Sequence, residues 1–471
     1  MLSDLPDECT RIIGRPFDAD EGDPVGTGDS AKAHDLSLVA VTAPAAASPS
    51  QHVSHYMGIK FSIVRLLCDD GRVSIESVSS VRRWSMLVIA LTATLCANVF
   101  INGAAFLIPT LHTERGLDLA QAGLLSSMPS FGMVATLIAW GYIVDRIGER
   151  IVLALGSALT AAAAFAAASM QSLVGIGAFL LLGGMAAASS NSASGRLVVG
   201  WFPPEKRGLV MGIRQTAQPL GVGLGALVIP RLAESHGVAV ALLFPAVVCA
   251  VSAVVCAVAV IDPPRPPRHE AAEADLANPY RGSSALWRIH AVSVLLVVPQ
   301  VVVWTFTLVW LMSDRGWSAA SAGAMVTAAQ VLGAGGRIAA GRWSDIAGSR
   351  LRPIRTIALA AAAAMGLLAL TDWLGSPVSV AVMVIASVIT VSDNGLAFTA
   401  IAEIAGPFWS GRALGTQNTS QLLTAGVAPP LFGGLIGAAG YPVAFAVCAL
   451  FPLIALPLIP VDADPVAQRS G

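Results

Sequence analysis

GYIVDRIGER at residues 141–150 and GRWSDIAGSR at residues 341–350 are two copies of one pattern. Gly141, Asp145, Gly148 and Arg150 recur as Gly341, Asp345, Gly348 and Arg350, each displaced by 200 positions. Outward from this pair the correspondence continues. TERGLDLAQAG at 113–123 aligns with SDRGWSAASAG at 313–323 at the same displacement, and GIRQT at 212–216 resembles GTQNT at 415–419, displaced by 203. Three matches in one order indicate a parallel duplication, an architecture in which a binding site forms where the repeats meet.

The solvent around these repeats follows from composition. Of 471 residues, 55% are hydrophobic and 12% charged, about half the charged share of an ordinary soluble domain. Mean hydropathy is +0.71. Apolar runs near 85–109, 122–143, 151–170, 172–200, 209–231, 238–261, 289–311, 319–340, 355–373, 378–404, 412–437 and 441–460 are each about long enough to cross ~30 Å of hydrocarbon. Lipid cannot satisfy an open strand's backbone, so these are read as twelve transmembrane helices in an all-α fold. Basic residues collect on one side, from Arg82 and Arg83 through Arg146, Lys206, Arg281 and Arg350 to Arg412. Only Arg115, Arg231 and Arg315 fall on the other, so both termini are expected in the cytoplasm of a bacterial cell, at its plasma membrane. The proline-rich, charged stretch 262–288 reads as a cytoplasmic linker between a half at 84–261 and a half at 289–461, with 462–471 as a tail. Residues 1–83 are acidic and then small, and read as a disordered cytoplasmic extension or as residues upstream of a true start near Met57.

The paired pattern resembles the loop between helices 2 and 3 of the major facilitator superfamily, Gly-x-x-x-Asp-Arg-x-Gly-basic-basic. Gly141, Asp145, Arg146, Gly148 and Arg150 fit it, Glu149 departs from the first basic position, and Ile346 replaces the second copy's arginine. WFPPEKRG at 201–208 is similar to the helix 4–5 loop of many bacterial members. The resemblance implies that Asp145 faces the start of helix 11 near Arg412, and Asp345 the start of helix 5 near Lys206 and Arg207. These contacts would latch the halves together on the cytoplasmic side; the alternative is that the charges only anchor loops at the headgroups. It also implies that helices 1, 4, 7 and 10 line the cavity while 3, 6, 9 and 12 face lipid.

Polar residues within the spans match that partition. Asn98 and Asn102 share a face of helix 1, and Asn191, Arg214, Gln300, Trp304, Asn394, Gln417, Asn418 and Gln421 complete the candidate cavity. For the amides, interhelical hydrogen bonding is an equal alternative. Asp393, an ionisable group near mid-membrane, is the expected proton carrier, against a static pair with an arginine. Arg214 would hold a substrate carboxylate bidentately. Arg196 and Glu403, near the loop ends, read as gate partners, and Arg337 as structural beside that gate.

No phosphate-binding loop, nucleophile elbow or zinc-binding H-E-x-x-H helix is present, so neither an enzyme nor a cofactor or metal is expected. A net charge of −1 argues against a nucleic-acid partner. The cysteines show no metal spacing. The expected function is secondary active transport of a small organic anion with protons, by a monomer. The alternatives are a proton-driven multidrug antiporter and a transporter-like sensor or assembly partner.

Overall fold

The computed structural model describes residues 79–107, 119–264 and 269–464. Residues 1–78, which hold most of the predicted extension, lie outside the described residues, as do Arg115, Arg265, Arg268 and 465–471. What is described is almost wholly helical, with no strand.

Among the described residues, nine helical stretches are long and apolar enough to cross a membrane. Two of them, Pro204–Ala259 and Ser410–Leu458, are each two spans broken at Gly237 and Gly440, where φ is +81° in both. An L side chain rarely adopts that backbone, so glycine is what lets the chain turn back here with almost no loop. Ala319–Ile346 is the twelfth span, less apolar because its second half carries Arg337 and Arg342. The expected twelve helices are present, in two bundles of six. They are α1 Ser80–Gly103, α2 Leu119–Ile147, α3 Glu149–Ser169, α4 Leu173–Trp201, α5 Pro204–Arg214 continuing through 217–236, and α6 237–259. The second set is α7 Ala285–Val309, α8 Ala319–Ile346, α9 Leu351–Trp373, α10 Val378–Ile389 continuing as Asn394–Ala405, α11 410–439 and α12 440–455.

Three boundaries differ from the sequence reading, each for a local reason. α1 starts at Ser80, four residues before 84, because the Ser79 hydroxyl caps the Arg82 amide. α5 is interrupted at Gln215 and Thr216, and α10 at 390–393, so that Asp393 sits in a break between two half-helices. The linker is also more ordered than a tether: it forms short helices Glu273–Leu276 and Pro279–Gly282, and Trp409 Nε1 donates to the Leu276 carbonyl.

Without a hydrophobic force between helices in lipid, small residues and buried hydrogen bonds hold the bundles. The duplication supplies one such device twice. Asp262, just past α6, accepts the Arg150 amide at 2.7 Å, closing the start of α3. Asp464, just past α12, accepts the Arg350 and Leu351 amides at 2.9 Å each, closing the start of α9. The two aspartates are 202 positions apart and are a further repeat of the sequence. Asp464 is 1% exposed and takes a Ser349 hydroxyl as well, so Asp464→Ala should cost about 1–2 kcal/mol, the upper range for a helix cap. Thermal unfolding in detergent should show a larger drop for Asp464→Ala than for Asp262→Ala; equal drops would mean that burial of the cap does not matter.

Candidate functional site

Extensive contact between the two halves, among the described residues, is made by α2 with α11, by the first part of α5 with α8, and by neighbouring parts of α4 and α10. All of it lies toward the arginine-rich side. Two glycine pairs make it possible. A Cβ on Gly141 or Gly411 would collide with the other's carbonyl oxygen, and Gly208 and Gly341 stand in the same relation. The backbones therefore meet at a distance that any side chain would forbid.

Each glycine seam is closed by an aspartate from the duplicated pattern. Asp145 accepts the Gly411 amide at 2.8 Å and the Arg412 amide at 3.1 Å, in the first turn of α11, where a carboxylate is favoured by the helix dipole. Arg412 also donates its Nε to Asp145 at 3.0 Å, as expected. Asp345 accepts the Gly208 and Leu209 amides at 2.9 and 2.8 Å, directly after Lys206 and Arg207 in the first turns of α5. Its cation is Arg350, from its own half, at 2.6 Å.

The gate candidates join these clusters with their charges exchanged. In the first half Arg196 of α4 reaches Asp145 at 3.2 Å and Glu149 at 3.1 Å. In the second half Glu403 of α10 accepts from Arg350 and, across the seam, from Arg207, both at 3.3 Å. Acid in the loop and base on the span become base in the loop and acid on the span. Glu149, the departure from the family pattern, is thus the partner of Arg196. Arg150 clamps α3 to α6 through the Ala257 carbonyl, and Arg146 stacks over Tyr142 at 4.7 Å, so neither crosses the seam. Gly148 and Gly348 both take positive φ where the loop turns.

Above the seams lie the cavity candidates. Gln300, Asn394 and Gln421 form one chain: Asn394 donates to Gln300 at 2.9 Å and Gln421 donates to Asn394 at 3.0 Å, joining α7, α10 and α11. In the first half Asn102 donates to the Asn98 carbonyl at 3.1 Å, and Asn98 packs against Gly221 of α5. Asn191 contacts Met133, and Asn418 returns its amide to Leu414 of its own helix. Gln417 is not with this group. It is buried against His290 Nδ1 at 2.7 Å, and His290 Nε2 meets the Tyr280 hydroxyl at 3.0 Å. That relay from α11 through α7 to the linker escaped the sequence reading, whose available signal was a histidine inside an apolar span.

Two arginines converge on Gln215, at the break in α5. Arg214 is 2% exposed and donates to the Ser194 hydroxyl at 2.9 Å, the Asn191 carbonyl at 2.9 Å and the Gln215 side chain at 3.3 Å. Arg337 of α8 is 3% exposed and donates one Nη to the Gln215 carbonyl at 2.9 Å, while its Nε has no partner. Its guanidinium lies 5.6 Å from the centre of the Trp304 ring. Among the described residues, neither has a carboxylate within ion-pair distance. Asp393 is buried, 2% exposed, and among the described residues its Oδ2 has no hydrogen-bond partner. Arg337 is therefore part of the candidate site and not only of the gate. Among the described residues no group of side chains could hold a metal ion.

Comparison with known proteins gives the family and the fold. A family model described as Major Facilitator Superfamily matches residues 90–429. A Mycobacterium tuberculosis (strain H37Rv) protein described as an uncharacterized MFS-type transporter is 61% identical over 379 residues, 80% of this chain and 85% of its own. A probable anion transporter of Arabidopsis thaliana, chloroplastic, is 29% identical over 165 residues, 35% of this chain and 31% of its own. A gallate transporter of Pseudomonas putida is 27% identical over 159 residues, 33% of this chain and 34% of its own. Among solved structures, an MFS proton:xylose symporter superposes with a TM-score of 0.66 at 16% identity, covering 81% of this chain and 95% of that one, a likeness of fold.

Asp145→Asn keeps an acceptor for one of the two amides, sets an NH2 against the other, and loses the charge that Arg196 and Arg412 face. Breaking a buried pair costs about 3–5 kcal/mol, enough to move a two-state equilibrium substantially. Spin labels on Ile147→Cys and Pro407→Cys, both exposed on opposite sides of the seam, should report a population with the arginine-rich side open. An unchanged distance distribution would remove Asp145 from the closure.

Proposed function

Since the chain belongs to the Major Facilitator Superfamily and is a membrane transporter, we propose that it moves a small organic anion together with protons by alternating access. The membrane is the bacterial plasma membrane, and the arginine-rich side with both termini is cytoplasmic. The observation that carries this reading is the buried charge above the seams. Two buried guanidiniums, Arg214 and Arg337, are accompanied by one buried carboxylate, Asp393. Uncompensated charge is costly in a low-dielectric interior, and an anion entering from water offsets it. The names of the plant anion transporter and the gallate transporter support the same class.

Asp393 is the proton carrier in this scheme. It is buried, stands in the break of a discontinuous helix, and its Oδ2 has no hydrogen-bond partner among the described residues. A proton on Asp393 and an anion beside Arg337 each raise the affinity for the other, because each relieves what the other creates. The glycine seams and the Asp145 and Asp345 clusters hold the cytoplasmic side shut in the state described, which we read as outward-facing. Loading the site lowers the cost of separating them.

Asp393→Asn keeps size and hydrogen bonding but cannot titrate. In proteoliposomes it should abolish accumulation driven by a pH gradient while leaving counterflow exchange within about threefold of the parent. A static role makes the opposite forecast. If Asp393 only neutralises Arg337, the Asp393→Asn/Arg337→Gln double should recover the thermal stability that either single change loses, and should still accumulate substrate. That result would end the coupling assignment.

A further inference from the structure

Between α1 and α6, within the first half, lies a groove of about 220 Å³, larger than the ~150 Å³ that suffices to hold a benzene ring. Its floor is made of small buried residues, Ala93 and Cys96 on α1 and Ser252 and Cys256 on α6. Its rim is Val247, Val251 and Val255, all exposed. The Ser252 hydroxyl is turned to that of Ser157 at 3.4 Å, so the floor offers little to water. The two helices are otherwise in contact: Cys249 donates its Sγ–H to the Cys96 carbonyl, and the Ile261 amide donates to Met86 Sδ, both at 3.5 Å. The second half fills the corresponding place. At the displacement that relates Asn98 to Gln300, Ala93 and Cys96 become Leu295 and Val298. At the displacement that relates Gly237 to Gly440, Val248 becomes Phe451. Leu295 and Phe451 both pack against that half's core.

The groove leads to charge. Arg82, Ser85, Ile89, Thr92 and Cys96 recur every three or four residues and so share one face of α1. A shallow hollow lined by Ser80, Trp84 and Ser85 meets the groove at Ile89, which carries the apolar path to the arginine-rich side. From Ser85 to Cys96 the path rises about 17 Å, close to the ~15 Å that one leaflet gives to the hydrocarbon. Arg82 is exposed and Arg83 half-buried, and among the described residues neither has a carboxylate within ion-pair distance. Trp84 is exposed at the same level, an amphipathic ring of the kind that sits at a membrane interface. The second half has Ser284 and Ala285 where these arginines stand, so groove and charge occur together in one half only.

We propose that the groove binds one phospholipid with an anionic headgroup, its acyl chain along Ile89 to Cys96 and its phosphate at Arg82 and Arg83. The site is independent of what the chain carries across the membrane. An acyl chain fits because the rim faces hydrocarbon, and because an unfilled groove forfeits dispersion contacts that a methylene chain restores. The headgroup is anionic because two guanidiniums without a carboxylate attract phosphate and any further negative group, while the ammonium of a zwitterionic lipid would meet the same arginines. A bound chain would join α1 to α6 and do for the first half what Leu295 and Phe451 do for the second.

The test uses the full chain, purified in detergent and titrated with phosphatidylglycerol or with phosphatidylcholine of the same acyl chains. Native mass spectrometry counts the lipid retained, and thermal unfolding is followed alongside. One phosphatidylglycerol should be retained at a concentration roughly tenfold or more below that needed for phosphatidylcholine, and should raise the unfolding temperature further. Arg82→Gln/Arg83→Gln should bring the two lipids to within about threefold of each other, with phosphatidylcholine unchanged. Val248→Phe, which supplies the ring that the second half carries as Phe451, should weaken both lipids roughly tenfold by occupying the groove. Ala93→Leu is a second groove-filling variant, and the half-buried Val248→Phe carries the test if the buried Ala93→Leu does not fold. Equal retention of the two lipids by the parent would overturn the site, as would a preference that survives loss of both arginines. Retention unchanged by the groove-filling change would place the acyl chain elsewhere and overturn it too. No retained lipid at all would overturn it and leave the groove to another part of the chain.

Discussion

Two helix pairs from opposite halves touch through their backbones, and the rest of the arrangement is built around that contact. At Gly141 with Gly411, and at Gly208 with Gly341, no side chain separates the helices. Once backbones are that close, the amides at the start of one helix lie within reach of a carboxylate at the end of the other. Asp145 and Asp345 occupy those positions. Glycine thus sets the distance, and aspartate supplies the energy that makes the distance a preferred one. Because the same solution appears on both sides of the approximate two-fold axis, neither half can tilt without disturbing both seams.

The charged clusters around the aspartates are related by the repeat, yet their signs are exchanged. Arg196 answers Glu149 in one half, and Glu403 answers Arg350 in the other. The exchange keeps each cluster close to neutral, as burial demands, while letting the halves differ in which element carries the cation. Glu403 bonds across the seam to Arg207, and Arg196 reaches the Pro407 carbonyl across it. Separating the halves on this side would leave several of these buried charges without partners at once.

Above the seams the approximate symmetry ends. Gln300, Asn394 and Gln421 form a hydrogen-bonded chain in the second half, whereas the first half opposes it with the tied Arg214 and the pair of Asn98 and Asn102. Arg337 has no cationic counterpart at Leu137, nor Asp393 an acidic one at Asn191.

The sequence by itself determined the medium, the number of spans and the duplication. Each rests on local or periodic information: apolar run length, basic residues at span ends, and the 200-residue displacement of a short pattern. It also led to Asp145 facing Arg412, because the pattern carries a known geometry through the family resemblance. What only the tertiary structure decided are pairings between residues far apart in the chain. Glu149 with Arg196, Gln417 with His290, and Asp464 with the start of α9 leave no trace in spacing. The same holds for the two central arginines. Arg214 and Arg337 look alike in sequence, each two turns inside a span, and only packing separates them. Ser194, Asn191 and Gln215 absorb the donors of one, while the other is left with a free edge toward Trp304, because which donors remain unused depends on every helix that surrounds them.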